Sequence, residues 1–238
     1  MIAATSPSAP RFLYLHGFAS GPGSTKGRAL AAHYAARGIA MERLSLRVPS
    51  FEQQRLSAMI GEVRARIGGA RDRAVVFGSS LGGLTACRAA EEDPRVCALV
   101  LLAPAFRLVE RWRMRIGESE WDAWRTCGWR AVDDYAERRP SRVDFAFVED
   151  AARADAGGGG WPDVRVPTLI VHGVHDEVVD IDLSREWAAG KRHVRLVEVA
   201  DGHELGASIP RIAAEADAFL AGFGVNGPLA TATSAPRD

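Results

Sequence analysis

Residues 73–83 read RAVVFGSSLGG, and LTACRAAEE follows. The apolar, β-rich run AVVF has the composition of a strand buried on both faces, and LTACRAAEE that of a helix. The two serines therefore fall on the turn between a strand and a helix. A side chain on so sharp a turn is pushed out at the strand's end in a strained backbone conformation, and the residues two before and two after it must be small. Ser80 has Gly78 and Gly82 at those places, whereas Ser79 has Phe77 and Leu81. Ser80 is the candidate nucleophile. The alternative is a glycine-rich connection with an incidental serine.

Outward from this turn, strand-like and helix-like stretches alternate. FLYLH (12–16), IAMERLSL (39–46), RAVVFGS (73–79), VCALVLLAP (96–104), VPTLIVHG (166–173) and HVRLVEVA (193–200) read as strands. TKGRALAAHYAARG reads as a helix stopped by Gly38, and SFEQQRLSAMIGEVRARIGG as a helix capped by Ser50. IPRIAAEADAFLAGF (209–223) reads as a closing amphipathic helix. Repeated strand–helix units mean right-handed parallel crossovers, hence an α/β fold with a mostly parallel, doubly wound sheet.

Serine is a weak nucleophile at neutral pH and needs a base, which in turn needs an orienting acid. VPTLIVHG opens into VHDEVVD and puts Asp176 just past a strand's carboxyl end; HVRLVEVA opens into DGHELG and does the same for His203. Parallel strands deliver such residues to one edge, where ligands bind. Asp180, Glu177 and Asp182 compete with Asp176 for the acid role. His172, His175 and Asp176 also raise the question of a metal, but without a third cluster of ligands none is expected. His16, His33 and His193 are expected to be structural, and Asp201 to cap or orient the loop carrying His203. An acyl-transfer site further needs two backbone N–H groups for the developing oxyanion. Leu81, after the candidate nucleophile, supplies one; Phe18, in the HGF that ends the first strand, supplies the other.

Together FLYLHGF, GSSLGG, LIVHGVHDEVV and DGH resemble the α/β-hydrolase superfamily over about residues 11–222. LYLHGFASGPGSTK with GSSLGG is similar to the small YqiA-like esterases, and the elbow with a short cap to the palmitoyl-protein thioesterase-like branch. The resemblance implies Ser80 as nucleophile, Asp176 as acid and His203 as base, with Phe18 and Leu81 forming the oxyanion hole. It implies hydrolysis of a carboxylic ester or thioester through an acyl-enzyme, with no cofactor and no metal. The alternatives are a non-hydrolytic relative (a C–C bond hydrolase, haloperoxidase or acyltransferase) and a binding protein that does not turn over.

Residues 106–161 break the rhythm. They carry no convincing strand and hold five of the six tryptophans, many arginines and the glycine run 157–160. The expectation is a helical cap inserted between two strands of the 11–222 domain, with 1–10 and 223–238 as tails. Its tryptophans either line an acyl pocket or only pack the cap, and its arginines either meet an anionic group or face solvent. A formal net charge of zero gives no sign of a nucleic-acid or anionic-membrane partner, and 47% apolar residues are enough for a sizeable core. The three cysteines lack disulfide or zinc spacing. MIAATSPSAP lacks the features of a signal peptide, and no apolar run approaches a membrane span. The expected setting is cytoplasmic, the partner a small-molecule ester or thioester, and the assembly a monomer or homodimer.

Overall fold

Six strands of near-continuous apolar sequence form one wholly parallel sheet. They are β1 (Arg11–Leu15), β2 (Met41–Leu44), β3 (Ala74–Ser79), β4 (Val96–Leu102), β7 (Thr168–Gly173) and β8 (Val194–Val199), in the order β2-β1-β3-β4-β7-β8. The computed structural model describes residues 9–155 and 160–222. All of the expected tails except Ala9 and Pro10, and most of the glycine run, lie outside these residues.

The two-residue period of the strands divides the core between two faces. Leu13, Leu15, Val76, Leu99, Leu101 and Ile170 point to one face, where α2 (Leu56–Ile67), α3 (Leu81–Glu92) and α7 (Ile181–Ala188) cover them. Phe12, Tyr14, Phe77, Val100, Leu102 and Val171 point to the other, beneath α1 (Thr25–Ala35) and α8 (Ile209–Gly222). From β1 the chain moves outward to β2, then crosses back to β3 on the opposite side. This reversal opens a crevice outside the carboxyl ends of β1 and β3, the place where wound sheets bind ligands.

Two expectations need correction. The long helix does not begin at Ser50. Its hydroxyl accepts the Gln53 N–H at 3.1 Å in a separate turn, and α2 starts only at Leu56, after Arg55 has turned to pair with Asp144 at 2.7 Å. The insertion between β4 and β7 is not wholly helical either. It contains α4 (Leu108–Ile116), α5 (Glu118–Cys127) and α6 (Ala146–Asp155), but between α5 and α6 runs an antiparallel hairpin of β5 (Trp129–Asp134) and β6 (Arg139–Asp144). Its strands are polar because most of their residues are not buried, and Arg138 (φ +53°) supplies the left-handed turn position usually marked by glycine or asparagine.

Val143 of this hairpin is buried in the main core with Val132 packed against it, and polar contacts tie the rest to the sheet domain. The N–H groups of Tyr135 and Ala136 donate to the Ala19 carbonyl at 3.0 and 3.2 Å. Arg47 grips the fully buried Asp134 carboxylate with both Nη atoms, at 2.8 and 2.5 Å, and that pairing holds the Asp134 pKa below its usual range. Removing one member of a buried pair strands the other. Asp134→Ala is expected to lower stability in urea by about 3 kcal/mol. A loss below about 1 kcal/mol would mean that the backbone bonds to Ala19 suffice to dock the hairpin.

Candidate active site

At the end of β3 the backbone reverses through Ser80 at φ +53° and ψ −116°, a conformation costly for a residue with a side chain. Surrounding bonds hold it there: Ser80 N–H donates to the Leu102 carbonyl, and the Ser80 carbonyl accepts from Gly83, Leu84 and Ala105. The glycines are required by close approach. A Cβ on Gly78 would lie 2.7 Å from Cα of Gly83, and one on Gly82 would lie 2.6 Å from the His16 carbonyl oxygen. Ser79 ends the strand and is buried, whereas Ser80 is half-buried at the amino end of α3; both line a cavity of about 570 Å³.

The structure brings Ser80, His203 and Asp176 together from three separate strand ends. Ser80 Oγ is 3.1 Å from His203 Nε2, and His203 Nδ1 is 2.8 Å from Asp176 Oδ2. Since a carboxylate only accepts, Nδ1 carries the proton, leaving the Nε2 lone pair to accept from the serine hydroxyl. Asp176 has no exposed side-chain surface. Its Oδ1 accepts the N–H groups of Val178 and Val179 at 2.8 and 2.7 Å, and its Oδ2 also receives His172 Nε2 at 3.1 Å. Burial alone would raise its pKa. The hydrogen bonds from His172, His203 and Val179 outweigh that and hold it well below the ordinary carboxylate range.

Two of the competing acids are occupied elsewhere, Asp182 pairing with Arg185 at 2.8 Å. Asp180 caps α7 by accepting the Asp182 N–H at 2.9 Å. Asp201 accepts the N–H groups of Gly202 and Ser208, which shapes the loop carrying His203. His16, His33 and His193 are engaged away from Ser80: His16 Nε2 accepts the Leu46 N–H, His33 meets Asp217, and His193 donates to the Val164 carbonyl.

Two positioning residues escaped the sequence reading. His172 lies wholly buried in β7 between Asp176 and Ser184, with its Nδ1 2.7 Å from the Ser184 hydroxyl. It meets the same carboxylate oxygen, Oδ2, as His203 Nδ1, and in the sequence it raised, with His175 and Asp176, only the question of a metal. Lys26, at the start of α1, is also buried; its Nζ donates to the Glu204 carbonyl at 2.8 Å and secures the residue after His203. Burial lowers its pKa, partly offset by Glu204. No sequence pattern marks that contact.

The HGF turn lies against the elbow. A Cβ on Gly17 would be 3.3 Å from that of Ser80, and the Phe18 ring is pinned between Phe51, Trp112 and Phe147 of the loops and cap. Among the described residues, neither the Phe18 N–H nor the Leu81 N–H donates to a protein acceptor. The tryptophans prove to be chiefly packing: Trp121 and Trp124 are buried against Phe145, while Trp112 both packs on Phe18 and lines the cavity.

A wound parallel sheet with this strand–turn–helix and these strand-end loops is an α/β-hydrolase fold. Residues 11–220 match the model of a family described as an uncharacterised protein family (UPF0227), and the chain belongs to that family. Similar solved structures include the alpha/beta hydrolase domain-containing protein 10 from mouse, at 18% identity and a TM-score of 0.74, covering 92% of this chain and 93% of that one. Est1E from Butyrivibrio proteoclasticus, solved with ferulic acid bound, has 20% identity, a TM-score of 0.71 and coverage of 95% and 94%. The esterase domain of a Rhodothermus marinus protein has 19% identity, a TM-score of 0.66 and coverage of 92% and 88%. No curated protein matches the sequence. Among the described residues no helix is long and apolar enough to cross a membrane.

The depressed pKa of Asp176 has a definite linkage sign. Its stabilising effect is complete above the ordinary carboxylate pKa of about 3.9 and is lost as the pH falls toward the folded value. The stability gap between wild type and Asp176→Asn is therefore expected to narrow as urea unfolding is repeated from about pH 6 down to about pH 2. A gap that stays constant over that range would contradict the assignment of these donors to an ionised carboxylate.

Proposed function

We propose that this chain is a serine hydrolase acting on carboxylic esters or thioesters through an acyl-enzyme. The observation that carries the reading is the hydrogen-bonded series Ser80 Oγ–His203 Nε2 and His203 Nδ1–Asp176 Oδ2, at 3.1 and 2.8 Å, which starts on a cavity wall and ends on a buried carboxylate. The esterase domain and the ferulate-bound Est1E among the similar structures support the same class of substrate.

In this reading Ser80 Oγ attacks the carbonyl carbon while its proton passes to His203 Nε2, and the C=O electron pair moves onto oxygen. The free N–H groups of Phe18 and Leu81 stabilise that oxyanion, each worth about 3 kcal/mol in comparable sites. Collapse breaks the bond to the alkoxide or thiolate, which leaves with the proton from Nε2. Water then attacks the acyl-enzyme, its proton going to His203 and from there to Ser80 Oγ as the acid departs. Asp176 keeps the ring in the tautomer with Nδ1–H and stabilises the imidazolium formed at each attack. His172 and Lys26 act as positioning residues, one behind the carboxylate and one on the His203 loop.

Turnover of p-nitrophenyl esters tests the assignment. Ser80→Ala is expected to lose at least about 10⁴-fold in kcat, and Asp176→Asn a similar factor, whereas Ser79→Ala keeps most of the rate. An inactive Ser79→Ala beside an active Ser80→Ala would overturn it, and an active Asp176→Asn would remove Asp176 from the acid role.

A further inference from the structure

One wall of the cavity carries positive charge that forms no ion pair with the hydrolytic groups, although the charges of Asp176 and Asp180 act on Arg111. Arg111 and Arg115, one turn apart on α4, line both the main cavity and a side chamber of about 210 Å³. Phe18, Trp112 and Val178 also line both spaces, so the arginines lie where the two meet. The chamber beyond is lined by the apolar Ile116, Trp124, Val132 and Val143 together with Arg130.

Most arginines of the cap meet acids: Arg107 pairs with Glu110, Arg113 with Glu118, Arg125 with Asp122 and Arg130 with Glu120. Arg111 and Arg115 form no ion pair among the described residues. Arg111 Nη2 donates to the Val178 carbonyl and Arg115 Nη1 to that of Glu177 at 3.3 Å, which anchors the guanidinium groups beside the Asp176 loop. Arg111 Nη1 is buried and, among the described residues, has no hydrogen-bond partner. Lys26 on the same cavity already faces Glu204, the only acid among the described residues that line it. Leaving a buried guanidinium nitrogen unpaired is costly, and the group that best satisfies it is an oxyanion.

We propose that Arg111, assisted by Arg115, is an anion-recognition subsite, and that the substrate is an ester or thioester bearing a carboxylate or phosphate close to the scissile bond. This deepens the hydrolase reading and rests on it for the identity of the scissile group. A planar guanidinium serves both oxyanions, so the anion can belong to the acyl group or to the leaving group.

Two matched pairs separate these sources: mono-p-nitrophenyl glutarate against p-nitrophenyl valerate, and S-valeryl mercaptoacetate against the neutral S-valeryl mercaptoacetamide. In at least one pair the anionic member is expected to show kcat/KM at least about tenfold above the neutral one at low salt. Arg111→Gln should bring that ratio to within about twofold and Arg111→Lys retain part of it, the anionic member losing more than the neutral one whatever the neutral one loses. Unchanged ratios in Arg111→Gln, or an equal fall for both members of each pair, would overturn the proposal and leave Arg111 as a tether for Val178. Ser80→Ala gives a readout without turnover, through quenching of tryptophan fluorescence by mono-p-nitrophenyl glutarate. Binding that the added Arg111→Gln change weakens at least about tenfold supports the subsite even if the wild type hydrolyses nothing, and binding that it leaves unchanged refutes it.

Discussion

A carboxylate with no exposed surface stays ionised only where protein donors replace water, and four do so at Asp176: two backbone N–H groups and two imidazole rings. The rest of the site follows from this arrangement. Asp176 fixes which nitrogen of His203 bears the proton, and that tautomer turns the lone pair of the other nitrogen toward Ser80. The same carboxylate shapes the turn after β7 through Val178 and Val179, whose carbonyls in turn receive Arg111 and His172. The loop that brings His203 back over it passes so close to the end of β7 that a Cβ on Gly173 would lie 2.8 Å from the Asp201 carbonyl carbon.

The sheet makes this convergence possible at little entropic cost. Residues 80, 176 and 203 are far apart in sequence, yet each follows a strand of one parallel sheet, so rigid elements rather than long loops set their spacing. The serine carries the strain, and the glycines that permit it are those against which another backbone packs. The elbow and the HGF turn flank the β1–β3 crevice, and among the described residues the N–H groups of Leu81 and Phe18 that they carry donate to no protein acceptor.

Much of this was legible in the sequence because it depends on short-range rules. Buried parallel strands announce themselves as apolar runs, and α3 ends where LTACRAAEE suggests, having begun three residues earlier at Leu81. Small residues two before and two after Ser80 distinguish it from Ser79. What escaped depends on contacts between distant segments. The β5–β6 hairpin is polar, turns without glycine and is held by Arg47 and Arg55, over eighty residues away in sequence; periodicity cannot detect it. His172 looked like an ordinary strand residue or a metal ligand until its second partner, Ser184, was in view. Lys26 contributes through a carbonyl, which no motif encodes. The cap arginines are indistinguishable by composition, and only the structure separates those with carboxylate partners from Arg111.

The central claim is that the hydroxyl at position 80 is the activated one. Its most direct measurement is reaction of the intact protein with a fluorophosphonate, followed by mass mapping of the modified peptide. Activation through His203 predicts a single phosphonyl adduct on Ser80, formed much more slowly in His203→Ala. An unmodified protein, or an adduct that forms equally fast without the imidazole, would contradict the account.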